Sequence, residues 1–226
     1  SSLTGTMSLA IAINSSGVPS IVVGDSNSID MFTATSSAGT SWNSSETVAS
    51  GSNPMDSRLA FDSNGKAHVV ASIMGALWYY TNVSGSWSGN ETIANLLENV
   101  NSYMPSLCID AANKKHVIYM KGTALLYRSR APSDASWPSA TTLDANFGNN
   151  MGGTTLTVDS TSKLHFAYAN QTTTYYNTYT STGTLGTRAT IDTITNTTMN
   201  FPYPSIAVDT NGNPHIVLRD VTGENA

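Results

Sequence analysis

Charge is scarce in this chain. Of its 226 residues only 11% are Asp, Glu, Lys or Arg, and the net charge is −5. The five lysines and five arginines form no basic patch that could neutralise a run of phosphates, which excludes nucleic acid as an expected partner. Glutamate is rarer, at four residues. Glutamate and lysine are good helix formers, and their scarcity leaves little to sustain helices. No segment keeps an apolar period of 3.6 residues. The lone Cys108 excludes an internal disulfide. No apolar run approaches the roughly 20 residues of a membrane span, and no signal-peptide pattern is present. The chain opens at Ser1 without a methionine, as a mature or trimmed form would. Nothing in the sequence calls for a cofactor.

Serine, threonine and asparagine fill the space that charge leaves, and together exceed a third of the residues. This composition favours strands and loops and leads to the expectation of a secreted or cell-surface protein. The six Asn-X-Ser/Thr sequons, at Asn14, Asn43, Asn82, Asn90, Asn170 and Asn196, are about what chance yields in so Asn- and Ser/Thr-rich a chain, so glycosylation is not inferred from them.

The strongest signal is a repeat. "AFDSNGKAHVV" begins at Ala60, "CIDAANKKHVI" at Cys108, "TVDSTSKLHFA" at Thr157 and "AVDTNGNPHIV" at Ala207, with a weaker copy, "AINSSGVPSIV", at Ala12. The anchors Asn14, Asp62, Asp110, Asp159 and Asp209 are spaced by 48, 48, 49 and 50 residues. An apolar-small-apolar triplet before each anchor predicts a strand A. A β-branched run after it predicts strand B, an aromatic-bearing segment strand C, and "ETVAS", "ETIAN", "TTLDA" and "ATIDT" strand D. A Gly/Ser-rich turn ending at Trp42, Trp87, Trp137 or Leu185 joins C to D.

Four short strands in just under 50 residues predict an all-β fold, a β-propeller of four-stranded blades. A β-solenoid is the alternative, although its rungs are shorter. The reading is one propeller domain over 1–226, with repeats at about 7–53, 54–101, 102–150 and 151–200 and a partial one at 201–226. That makes about five blades, the last incomplete.

The pattern Tyr-Pro-Ser, then Asp-x-Asn-Gly-x-x-His, then an aromatic strand and Gly-Ser-Trp, resembles the repeats of secreted sialidase-like, BNR-type propellers. Repeat length and turn placement are also similar to those of five-bladed tachylectin-type lectins. The resemblance implies a propeller fold and, for lectins, glycan binding. The turn before each tryptophan, "SSAGTSW", "VSGSW" or "PSDASW", lacks the aspartate pattern of the sialidase Asp-box.

Each candidate site has a structural alternative. His68, His116, His165 and His215 all stand six residues after an anchor aspartate, and a repeated hydrogen bond beside the turn explains them better than a metal ring. The Asp-x-Asn-Gly turns lack the glycine spacing of a calcium loop, so no metal is expected there. Trp42, Trp87 and Trp137 read as packing between blades, and the extra Trp78 as either packing or an exposed stacking residue. A sialidase-like site would need an arginine cluster, and nothing marks Arg58, Arg128, Arg130, Arg188 and Arg219 as one. No pair of carboxylates is marked either, and Glu46 and Glu91 recur as structural residues. The D–A loops carry the positions favoured for binding. Asn53, Asn101, Asn150 and Asn200 stand nine residues before an anchor, and Tyr103, Phe147, Phe201 and Tyr203 add aromatic rings. An amide both donates and accepts, as sugar hydroxyls require. The expected function is non-catalytic, lectin-like glycan recognition. A surface-protein partner and a sialidase-like glycosidase are the alternatives.

Overall fold

The computed structural model describes residues 8–50, 54–95, 104–146, 152–170, 172–193 and 203–218. The described residues form eighteen strands and no helix. Sheet 1 contains β1 (Ser8–Ile13), β2 (Pro19–Gly24), β3 (Ser28–Thr33) and β4 (Glu46–Ser50). Sheet 2 contains β5 (Pro54–Phe61), β6 (Ala67–Ile73), β7 (Ala76–Thr81) and β8 (Ser88–Asn95). Sheet 3 contains β9 (Ser106–Ile109), β10 (Lys115–Lys121), β11 (Ala124–Arg130) and β12 (Thr141–Asp144). Sheet 4 contains β13 (Thr154–Val158), β14 (Leu164–Ala169), β15 (Thr173–Tyr179) and β16 (Ala189–Thr193), and sheet 5 contains β17 (Ser205–Val208) and β18 (Pro214–Val217). Strands follow chain order within every sheet, and the paired strands run antiparallel. Each sheet therefore covers one copy of the repeat, with the strands where the pattern expects them. The chain divides into two compact units between Ile109 and Asp110.

The turn from strand A to strand B follows from the side chain at its start. In sheet 2, Asp62 Oδ1 accepts from the amides of Asn64 and Lys66 at 2.9 and 2.8 Å, and Gly65 N–H donates back to the Asp62 carbonyl. The third residue after each anchor is left-handed: Gly17, Gly65, Asn113, Ser162 and Gly212, with φ between 60 and 81°. Glycine adopts this geometry freely and asparagine tolerates it. Asn14 makes the same two amide contacts in sheet 1, through its Oδ1. The carboxylates thus bind their own turns.

The second carboxylate oxygen continues inward. His116 Nε2 lies 3.2 Å from Asp110 Oδ2, and His116 Nδ1 lies 2.8 Å from the Tyr127 hydroxyl. An ionised carboxylate only accepts, so Nε2 carries the hydrogen and the tyrosine hydroxyl donates to Nδ1. The trio recurs as Asp159–His165–Tyr176 at 3.2 and 2.8 Å; in sheet 2 the His68–Tyr79 hydrogen bond recurs at 2.5 Å, while His68 Nε2 faces Asp62 Oδ2 at 3.5 Å, a looser charge contact rather than a hydrogen bond. The three histidines are buried. They are the repeated structural hydrogen bonds expected from the sequence, and they tie strands A, B and C together at one end of the sheet.

Packing between sheets uses both faces. In unit 1, Ala10, Ala12, Val22, Met31 and Val48 of sheet 1 form one core with Leu59, Val69, Ala71 and Tyr80 of sheet 2. Directly paired residues share a face. Hence Leu59, Val69 and Tyr80 mark one face of sheet 2, here called leading, while His68 and Val70 lie on the other, trailing, face. Trp78 belongs to this core, and its Nε1–H donates to the Ile73 carbonyl at 3.3 Å, so it is a packing residue. Trp87 also packs there and donates to Glu46 at 3.1 Å, which accounts for both residues structurally. Trp137 is buried, whereas Trp42 and Leu185 are each 39% exposed and close short bridges to Ala34 and Tyr179.

Replacing Asp110 by alanine strands two turn amides and the His116 Nε2–H. At about 1–3 kcal/mol for a buried polar group left unpaired, urea unfolding is expected to show a loss of about 2–4 kcal/mol. Asp209→Ala removes the same contacts where the histidine side chain is 68% exposed, and the expected loss is below about 1 kcal/mol. Equal losses at the two positions would contradict a burial-dependent role.

Candidate functional site

In an antiparallel sheet of order A-B-C-D, the A–B and C–D connections lie at one end and the B–C and D–A connections at the other. The residues favoured from the sequence belong to the D–A end. Asn53, Asn101, Tyr103, Phe147, Asn150, Asn200 and Phe201 lie outside the described residues. Tyr203 is described: it is 53% exposed and its ring covers Gly153, where an added Cβ would come within 2.9 Å of Tyr203 Cδ1.

The opposite end of unit 2 holds a cleft of about 490 Å³. Its walls are the A–B turns of sheets 3 and 4, the C–D loop of sheet 4 and the approach to β12. Tyr127 of sheet 3 and Tyr179 of sheet 4 meet at its base, with ring centroids 5.1 Å apart and planes tilted by 56°. Hydroxyl side chains dominate the rim, among them Ser129, Ser139, Thr141, Ser162 and Ser181, and Lys114 supplies a cation. Arg128 borders the cleft through its backbone side. Strand alternation turns its guanidinium to the leading face, where it interacts with the Tyr119 hydroxyl.

Asp110 is the one carboxylate among the lining residues, and its oxygens are taken by the turn amides and His116. His116 and the Tyr127 hydroxyl are likewise engaged with each other. Burial holds the His116 ring below its ordinary titration range, partly opposed by the Asp110 hydrogen bond, so the ring is neutral at pH 7. The same trio stands in sheets 2 and 4. What distinguishes the cleft is therefore its rim and Tyr179.

Tyr179 was not singled out by the sequence pattern. It is the last residue of "TYYNTY", where the other repeats place Ala34, Asn82 and Arg130. A break in the repeat was the available signal.

A second cluster joins sheets 3 and 4. Asp144 Oδ2 accepts from Arg188 Nη1 at 2.7 Å and from the Tyr168 hydroxyl at 2.8 Å, while the Arg188 guanidinium lies 4.5 Å from the Tyr175 ring centroid. Burial alone would raise the Asp144 carboxyl, but the Tyr168, Arg188 and Asn146 hydrogen bonds outweigh it and hold the group below the usual range. Burial first, and then the Asp144 charge, push the Tyr168 phenol well above the usual tyrosine range. At neutral pH a carboxylate, a neutral phenol and a guanidinium form a clasp between sheets. Arg58 and Arg130 donate to the carbonyls of Ser57 and Asp134, so the described arginines serve separate local partners. Among the described residues no group of three His, Cys, Asp or Glu side chains could hold a metal ion, and no helix is long and apolar enough to cross a membrane.

No protein-family model matches this sequence, and no curated protein matches it. Solved structures do match in fold. A protein of unknown function from Dyadobacter fermentans superposes with a TM-score of 0.70 at 8% identity, over 96% of this chain and 76% of its own. NanB sialidase from Streptococcus pneumoniae gives 0.62 at 12% identity, over 87% of this chain and 33% of its own. An ulvan lyase, a polysaccharide lyase bound to -[GlcA(1-4)Rha3S]-, gives 0.60 at 8% identity, over 88% of this chain and 60% of its own. The likeness is one of fold, consistent with a sialidase-like β-propeller. The chain spans a third to three fifths of the sialidase and lyase chains.

The buried neutral ring has a pH consequence. The unfolded chain takes up a proton near pH 6.5, before folded His116 does. The contribution of His116 is therefore complete above that pH and falls as pH drops below it. An NMR titration is expected to place the His116 transition below 6.5, with urea midpoints falling between pH 7.5 and 5. A His116 transition above 6.5 would contradict the burial argument.

Proposed function

We propose that this chain is a secreted or cell-surface β-propeller of about five blades that binds carbohydrate without cleaving it. The observation that carries the reading is the unit 2 cleft. It offers an aromatic ring at the base, hydroxyls and one ammonium around the rim, and about 490 Å³ of space. That volume falls in the range of about 300–1,000 Å³ typical of small-molecule sites. Sugars present apolar ring faces and a belt of hydroxyls, and this lining answers both. Glycosidic cleavage uses two converging carboxylates. The cleft has one, committed to its own turn. Fold likeness to a sialidase and a polysaccharide lyase adds support for a saccharide ligand. The D–A loops, with Asn53, Asn101, Asn150 and Asn200, are the second contact region in this reading.

A glycan array followed by calorimetry on the strongest saccharide tests it. Saturable binding is expected. Tyr179→Ala is expected to weaken it by ten-fold or more, equivalent to about 1.4 kcal/mol, without changing the circular dichroism spectrum. Asn101→Ala and Asn200→Ala report on the loop region. Loss through these two alone would move the ligand to the D–A end. An array without hits would contradict carbohydrate binding and favour a protein partner.

A further inference from the structure

The joint between sheets 3 and 4 holds a second hollow, of about 230 Å³. Leu143 and Asp144 of β12 line one side, and Asn177 of β15 with Leu185 and Arg188 line the other. Two of these residues break the repeat toward smaller side chains. Where sheet 4 has Asn177, the same register position carries Phe32, Tyr80 and Arg128 in sheets 1, 2 and 3. Leu185 stands where the other turns end in Trp42, Trp87 and Trp137. Protein interiors are close-packed, so a joint that loses a long side chain and an indole is left with space.

Asn177 is 3% exposed, yet half of its amide is unused. Its Oδ1 accepts the Thr178 amide at 2.7 Å, and a Cβ added at Gly186 would come within 2.8 Å of that oxygen. The C–D loop thus closes the oxygen side. The Nδ2 group is left toward the hollow, with no partner among the described residues. Buried polar groups are paired with few exceptions, so a donor held in this way calls for an acceptor from outside. Arg188 stands beside it. Asp144 holds one Nη and the guanidinium rests on the Tyr175 ring, while the side chain is 46% exposed and its other N–H groups face outward.

Hollow and cleft share both walls. On β12, Thr141 lines the cleft and Leu143 the hollow. On β15, Tyr179 and Asn177 lie on the same, leading face, two residues and about 7 Å apart, with Tyr179 in the cleft and Asn177 in the hollow. A chain of sugar rings seated on Tyr179 would run along the joint into the hollow.

We propose that the hollow is a second saccharide subsite, so that the cleft takes an oligosaccharide whose adjoining residue places a hydroxyl or carbonyl oxygen on Asn177 Nδ2 and Arg188. The inference rests on the carbohydrate reading of the cleft and extends it from one sugar ring to at least two.

A glycan array printed with homologous ladders, each sugar as mono-, di- and trisaccharide, tests it, with calorimetry on the ladder that binds. The parent chain is expected to bind the di- or trisaccharide ten-fold or more tightly than the monosaccharide. Asn177→Phe restores the ring that sheet 1 carries and fills the hollow, and in this variant the members of the ladder are expected to bind equally. Circular dichroism checks its fold. NMR of the parent chain gives a readout that needs no variant: the Asn177 side-chain amide signals are expected to shift with the trisaccharide and not with the monosaccharide. Equal binding along the ladder by the parent chain would overturn the subsite and leave the cleft reading standing. So would a length preference that survives in Asn177→Phe, or Asn177 signals that stay unmoved by the trisaccharide. An array without hits would overturn both readings.

Discussion

Everything in this molecule hangs on how one aspartate carboxylate is divided. One oxygen accepts two amides of the A–B turn, and the other receives the Nε2–H of a histidine six residues on. The first contact fixes where strand A ends and strand B begins. The second places an imidazole on the trailing face, where its remaining nitrogen accepts from a tyrosine of strand C. Three strands are thereby registered by one side chain. Buried polar groups are costly unless fully paired, so the trio forms as a unit or fails as a unit. This explains why the short segments of the repeat tolerate so much change between copies while the Asp, His and Tyr positions hold in sheets 2, 3 and 4. Sheet 1 shows a weaker solution with Asn14, and with Ser20 donating or accepting across to Thr33 at 3.0 Å.

Because the trio is spent on architecture, chemistry must come from what differs between repeats. The cleft of unit 2 arises where Tyr179 and a hydroxyl-rich C–D loop replace the smaller or charged residues of other copies. The Asp144–Tyr168–Arg188 clasp is another such departure, since the positions matching Asp144 in sheets 1 and 2 are Ala49 and Ala94. It links the two sheets that form the cleft walls and so steadies the distance between Tyr127 and Tyr179.

The fold was largely legible because the repeat supplies several readings of the same unit. Strand D over "ETVAS" and "ATIDT" matches β4 and β16 residue for residue, and the left-handed position appears as Gly17, Gly65 and Gly212 in plain view. The role of the histidines was legible from their fixed distance to the anchor. Their tyrosine partners were not, because hydrogen bonding across strands depends on register rather than on local spacing. The cleft was illegible for a related reason. It is made by side chains on facing sheets, and averaging over repeats hides Tyr179, whose whole interest lies in being an exception. The D–A asparagines stood out for the opposite reason: they recur.

The most direct test of the account is a crystal structure of the chain with a saccharide selected by binding. The account predicts sugar density against Tyr179, with hydroxyls in reach of the Ser129 and Ser181 side chains and the Asp110–His116–Tyr127 hydrogen bonds unbroken. A sugar bound elsewhere with the cleft empty, or a ligand that displaces His116 from Asp110, would contradict it.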